Sequence, residues 1–216
     1  MDLNIDQQEA VEYINGAEII IAGPGSGKTK TLVEKVKFLI VNGFKPSEIL
    51  LLTFSKKAQL ELSNRLNEVE GLMIMTFHSL GLNILNKDNP NIRLISSAEK
   101  YSFLQQIKAK FKEFSGQNLK DIELYISKLK NESIENEVTE FFDKLLEEQS
   151  LWDFDDLIIK SNKYLETHQI EQPFKYIFVD EYKDTTSTQY QLIKKILGTI
   201  QKICVVGDPN QSIYGF

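Results

Sequence analysis

One cysteine, two histidines and five prolines are spread through 216 residues, and each scarcity removes a class of protein. The lone thiol, Cys204, excludes a disulfide framework and any zinc site built on several cysteines. It sits inside the apolar run KICVVGD, which reads as a buried strand thiol in a reducing compartment. No apolar run approaches the roughly 18 residues of a membrane-spanning helix. The N-terminal MDLNIDQQEA is acidic and polar, unlike a leader. These features predict a cytoplasmic protein with no membrane partner. Low-complexity tracts and internal repeats are also missing. A formal charge of -6 argues against wholesale coating of nucleic acid, although net charge does not describe a local groove. What remains is 42% hydrophobic residues, enough for one large domain or for one domain carrying a smaller insert.

The apolar residues come in short runs: EIIIAG (18–23), EILLLTF (48–54), LMIMTF (72–77), KYIFVDE (175–181) and KICVVGD (202–208). Strands buried on both faces of a parallel sheet read this way. Between the first three lie helical stretches, KTKTLVEKVKFLIVNG and SKKAQLELSNRLNEVEG, with Gly43 and Gly71 as expected C-caps. The fold class is therefore α/β, a parallel sheet flanked by helices, with ligands expected at the C-terminal ends of the strands. From residue 88 to 150 the pattern changes. DNPN breaks the chain, Ser96 and Glu99 offer a capping box, and long charged amphipathic runs follow. This predicts a helical inserted subdomain at 88–150, with residues 1–87 and 151–216 forming a discontinuous sheet-bearing domain.

Residues 22–29, AGPGSGKT, follow a predicted strand and open a predicted helix, the context a phosphate-binding loop requires. Ala22, Gly23, Pro24, Gly25, Ser26 and Gly27 form the loop, whose glycines let backbone N–H groups turn toward phosphate oxygens. The helix N-terminus adds partial positive charge. Lys28 supplies a point charge for the β- and γ-phosphates, and Thr29 a hydroxyl for Mg²⁺. Ala22 stands where the strict pattern asks for glycine, and the position needs only a compact residue. In YIFVDEYKDT, Asp180 at a strand end is placed to hold Mg²⁺, and Glu181 to accept a proton from an attacking water. The competing reading is that both acids only favour the start of the next helix, itself signalled by Thr186 and Gln189. WDFDDLI is read as structural: Trp152 and Phe154 anchor a returning helix, and Asp155 and Asp156 complement its dipole. NKDN at 86–89 fails the guanine-reading Asn-Lys-x-Asp because its fourth residue is Asn89, which argues against a GTPase. A small-molecule kinase, or a non-catalytic DNA-binding or regulatory protein that retains only the fold, would also carry such a loop.

In order, LNIDQQEAV, AGPGSGKT, LLLTFSKKAQLEL, MTFHSLGLNIL, ISKLKNE, WDFDDLI, VDEYKDT and VVGDPNQSIYGF resemble the motif series of the UvrD/Rep/PcrA-like superfamily 1 DNA helicases. The resemblance covers almost the whole chain. It implies a P-loop NTPase of RecA-like fold with ATP and Mg²⁺ as cofactors. By the same resemblance Gln7 reads adenine, Asp180 is the Mg²⁺ carboxylate, Glu181 is the base, and Gln211 senses the γ-phosphate. Phe54, Tyr214 and Phe216 resemble the aromatics that stack single-stranded bases, with His78 near the same groove. Lys56, Lys57 and Arg65 beside Phe54 suit phosphate attraction. A core-packing role stays open for Phe54 and His78.

Three positions depart from the family pattern. Lys30 replaces the usual Arg after the loop and loses its planar stacking. Lys183 stands for Gln, and Lys56 for Asn. The implied partners are single-stranded DNA, duplex junctions and a second RecA-like domain of the same parent chain; oligomeric state is not implied. The implied activity is ATP-driven 3′ to 5′ movement on single-stranded DNA with unwinding. VVGDPNQSIYGF resembles the last motif of the first lobe, so residues 1–216 are expected to bind ATP with little turnover by themselves.

Overall fold

In the computed structural model, which describes residues 3–23, 25–169, 174–182, 185–198 and 202–208, each of the five apolar runs contains a strand. β1 (Ala17–Ile21), β2 (Ile49–Thr53), β3 (Met73–Thr76), β4 (Tyr176–Asp180) and β5 (Ile203–Gly207) form a parallel sheet in the order β1-β5-β4-β2-β3. The strands centred in that order are buried as expected: every residue of β2 is inaccessible to solvent, and only the last residue of β4 is partly open. β1 departs from the expectation. Among the described residues it is paired on one side only, by β5, and Ile19 and Ile21 are each 69% exposed. A continuous apolar run therefore marks a strand here without marking burial on both faces.

The helices are α1 (Ile5–Glu12), α2 (Lys28–Val41), α3 (Lys56–Arg65), α4 (Phe77–Leu85), α5 (Ser97–Lys110), α6 (Leu119–Asn131), α7 (Glu137–Glu148), α8 (Phe154–Tyr164) and α9 (Ser187–Leu197). Among the described residues no helix is long and apolar enough to cross a membrane. The chain divides into two compact units. The first holds Met1–Leu80, Gln169–Thr185 and Ile193–Phe216, and the second holds Gly81–His168 and Thr186–Leu192.

In the first unit, Leu32, Val36 and Leu39 of α2 and Leu62 of α3 recur at helical spacing. They pack on the alternate residues Ile49, Leu51, Tyr176, Phe178, Cys204 and Val206 of the sheet. Each such side chain contributes roughly 1.5–3 kcal/mol by leaving water. Cys204 is fully buried there, and burial pushes its thiol pKa far up, so it is an inert core group. α2 ends as expected: Gly43 adopts φ 94°, its N–H bonds Ile40 O, and Phe44 N–H bonds Leu39 O. Gly71 does not end α3, which stops at Arg65 with Leu66 as C-cap. The residues after it make separate turns, with Val69 N–H bonded to Leu66 O, so the helical period does not extend through NEVEG.

The second unit is helical, with a core of Phe103, Leu104 and Ile107 from α5, Ile122 and Ile126 from α6, and Phe142 and Leu146 from α7. Its capping box at Ser96 forms as expected, Ser96 N–H reaching Glu99 Oε2 at 2.8 Å. WDFDDLI differs from its sequence reading. The N-cap of α8 is Asp153, whose side chain accepts from Asp156 N–H. Phe154 is 43% exposed, and Leu157 and Ile158 take the buried positions.

Candidate functional site

Because all strands run parallel, their C-terminal residues Ile21, Thr53, Thr76, Asp180 and Gly207 share one end of the sheet. The loop after β1 starts with Ala22 N–H bonded to Gly207 O at 3.2 Å. Gly25 has φ 71° and Gly27, the N-cap of α2, has φ 86°, left-handed conformations that an L side chain resists. Ser26 folds the loop on itself, its Oγ donating to Gly23 O at 2.7 Å. Lys28 Nζ donates to Ala22 O at 3.2 Å and lies 3.7 Å from Glu181 Oε1. Thr29 and Lys30 follow in the first turn of α2, both partly buried. The N-terminus of α2, where the helix dipole is positive, and the Lys28 ammonium form one electropositive end, suited to phosphate oxygens.

α1 brings Gln7 over this loop. Asn4 caps α1 by accepting from Gln7 N–H at 2.8 Å, and Asn4 N–H returns a bond to Gln7 Oε1 at 3.1 Å. The remaining amide group of Gln7, Nε2, donates to Ser26 O at 2.8 Å. An open cavity of about 340 Å³ is lined by Asn4, Gln7, Ala10, Glu18, Ser26 and Lys28, among others.

Asp180 closes β4 and Glu181 follows at φ 53°, an uncommon conformation for a residue with a side chain. Glu181 N–H bonds Asp180 Oδ1 at 3.1 Å. Burial and the neighbouring Glu181 charge push the Asp180 pKa up to about 6, against the pull of Lys28. A hard divalent cation would relieve that disfavoured charge, so the donor chemistry fits Mg²⁺. Among the described residues no group of three or more His, Cys, Asp or Glu is placed to hold a metal.

Of the residues expected to meet nucleic acid, Phe54 follows β2 and is partly buried, its ring tilted on Phe77 with centroids 5.2 Å apart. His78, in the first turn of α4, is partly buried. Lys56 and Lys57 are exposed at the start of α3, whereas Arg65 is paired with Glu61 at 2.9 Å. Pro24, Lys183, Gln211, Tyr214 and Phe216 lie outside the described residues.

Two charged groups went unrecognised in the sequence. Lys35 is wholly buried beside Glu18, and its signal was position: it falls on the apolar stripe of Leu32, Val36 and Leu39. Lys130, in ISKLKNE, bonds Asp153 and Asp156 of WDFDDLI, each at 2.8 Å. No local pattern announces a pairing across that separation.

A family model described as UvrD/REP helicase N-terminal domain matches residues 3–216. The chain is 34% identical over 250 residues to ATP-dependent DNA helicase Rep of Buchnera aphidicola subsp. Schizaphis graminum (strain Sg), a match covering 100% of this chain and 38% of that protein. To ATP-dependent DNA helicase PcrA of Bacillus subtilis (strain 168) it is 35% identical over 252 residues, covering 98% and 33% respectively. To ATP-dependent DNA helicase Rep of Escherichia coli (strain K12) it is 31% identical over 250 residues, covering 100% and 37%. The chain thus spans between a third and two fifths of the length of these relatives. Since the family match takes in the sheet and the helical unit alike, the chain belongs to the family of UvrD/REP helicase N-terminal domains.

Proposed function

We propose that this chain is the N-terminal ATP-binding part of an ATP-dependent DNA helicase or translocase acting in the cytoplasm. It would hydrolyse ATP to move 3′ to 5′ on single-stranded DNA and separate duplex at junctions, with a second RecA-like domain as its partner in the same parent chain. The observation that carries this reading is the approach of Lys28 to Glu181, 3.7 Å across the end of the sheet. It joins the two sequence elements an ATPase needs at one place, a phosphate loop and a carboxylate pair.

Lys28 neutralises the β- and γ-phosphates, and the loop N–H groups hold their oxygens. Thr29 and Asp180 would hold Mg²⁺, which when bound would draw charge from the phosphate oxygens. Glu181 takes the proton of the attacking water. The water oxygen bonds to the γ-phosphorus as the bond to the β–γ bridging oxygen breaks. Glu181 stands at φ 53° with its carboxylate 3.7 Å from the Lys28 ammonium, beside the phosphate loop where an attacking water would lie. Gln7 recognises adenine, Gln211 senses the γ-phosphate, and Lys30 extends the loop's charge. Phe54, Tyr214 and Phe216 stack bases, with Lys56 and His78 along the same track. The helical residues 88–150 form an inserted subdomain in a discontinuous RecA-like domain.

Titration of Mg-ATP into two variants tests the roles. Lys28→Ala loses binding because its ammonium is the loop's phosphate charge. Glu181→Gln keeps affinity and loses turnover, since a base is removed and no ligand is. Equal loss of affinity in both contradicts the assignment.

A further inference from the structure

Lys35 of α2 has no exposed surface, and its ammonium has two backbone acceptors and a carboxylate counter-ion. Nζ donates to Ala10 O at 2.5 Å and to Tyr13 O, and pairs with Glu18 Oε2 at 2.6 Å. The rings of Tyr13 and Tyr176 each stand 5.9 Å from it. Ala10 belongs to the last turn of α1, Tyr13 is its C-cap, and Glu18 lies on β1. The last turn of α1 contains no basic residue. The carbonyls left over at that helix end, where the dipole is negative, are therefore met by a lysine from α2.

Apolar packing does not account for the position of α1. Of its eight residues only Val11 is buried, and so short a helix does not hold itself in water. Two polar ties stand at its ends: Lys35 at the C-terminus, and Gln7 on Ser26 O near the N-terminus. The second tie uses the side-chain amide that a base would engage. Once Gln7 turns to a ligand, the Lys35 junction still ties the C-terminal end of α1 to α2. Ala10 and Glu18, the residues of one acceptor and of the counter-ion, also line the cavity that Gln7 faces.

We propose that Lys35, with Glu18 as counter-ion, is a positioning residue for base recognition. It holds α1 so that Gln7 meets the nucleotide base, and so sets the preference for adenine over guanine. This rests on the reading of Gln7 as the adenine-recognising residue. Lys35 itself touches neither nucleotide nor metal.

Lys35→Met alone leaves Glu18 without its counter-ion and endangers the fold. The test therefore uses the chain with Lys35→Met and Glu18→Gln together, checked for native circular dichroism. The probes are Mg-ATP, Mg-GTP and inorganic tripolyphosphate, alongside amide hydrogen exchange of residues 5–12. In the double variant ATP affinity is expected to fall about tenfold toward that of GTP while tripolyphosphate affinity shifts less than about twofold. Exchange in α1 should accelerate. An α1 that stays protected overturns the tethering whatever the nucleotides do. An equal fall for all three probes overturns the selectivity role and makes Lys35 a support of the phosphate loop. Wild-type chain that binds ATP and GTP alike overturns the adenine reading of Gln7 and the selectivity with it, and the exchange result shows separately whether the tether exists.

Discussion

Lys130 Nζ meets Asp153 Oδ2 at 2.8 Å with both side chains almost wholly buried, 6% and 5% exposed. The same ammonium reaches Asp156 at 2.8 Å and Asp143 at 3.0 Å, so one lysine of α6 is tied to α7 and α8. Burial alone would push the Lys130 pKa down; the carboxylates of Asp153, Asp156 and Asp143 reverse this and hold it above the lysine range. Burial pushes Asp153 up to about 6, with Asp156 and Asp155 adding to the rise and Lys130 opposing it. A single ammonium does not offset all the negative charge gathered there.

Replacing Lys130 by Met should destabilise the chain by about 3–5 kcal/mol, because buried carboxylates lose their counter-ion. Asp153→Asn should cost much less, since Asn also caps helices and Lys130 keeps Asp156 and Asp143. Urea unfolding of the two variants measures the difference. Losses of equal size would mean that the lysine is not the centre of the cluster.

The Asp153 shift predicts a pH dependence of definite sign. Its folded pKa is raised to about 6 from 3.8, so between those values the native state binds more protons than the unfolded one. Its contribution to stability is fully present below the unfolded pKa and is lost as pH rises through the folded one. The loss is at most about 3 kcal/mol at 1.36 kcal/mol per pKa unit. Wild-type stability measured against Asp153→Asn should therefore fall from about pH 4 to about pH 6. A flat difference across that window would contradict the burial of this carboxylate.

Gly27→Ala should impair nucleotide binding more than it impairs folding. The new Cβ would lie 2.9 Å from Gln7 Nε2 at a position with φ 86°. The left-handed backbone costs roughly 1–2 kcal/mol with a side chain, and Gln7 must leave Ser26. Thermal unfolding should shift modestly while Mg-ATP affinity drops by more than the same variant's stability loss explains. Calorimetric titration beside a melting curve separates the two.

Phe54→Ala should weaken single-stranded DNA binding by roughly 1–3 kcal/mol if a base stacks on the ring. Its edge of contact with Phe77 is the competing explanation. Fluorescence anisotropy with a labelled oligonucleotide decides between them: unchanged affinity with an intact fold leaves Phe54 as a packing residue.

The α/β class and the glycine-rich turn after β1 were legible because they depend on near neighbours. A run such as ILLLT needs only its own apolar residues to become a strand, and GPGSGKT needs only glycines that tolerate φ above zero and a helix start after them. Caps at Ser96, Thr186 and Gly43 are legible for the same reason, each being settled within a few residues. Gly71 misled because a glycine announces a turn without saying which helix ends there. β1 misled because period and apolarity describe a strand, while the number of its neighbours is a property of the sheet.

By itself the sequence determined the strands, the loop that suits phosphate and the carboxylates at a strand end, since backbone preference and short-range periodicity act locally. Only the tertiary structure decided that Lys28 stands beside Glu181, that Lys35 reaches the end of α1, and that Lys130 pairs with Asp153. Those are contacts between groups far apart in the chain. A charged side chain is stable in such a place only when folding delivers its acceptors along with the burial.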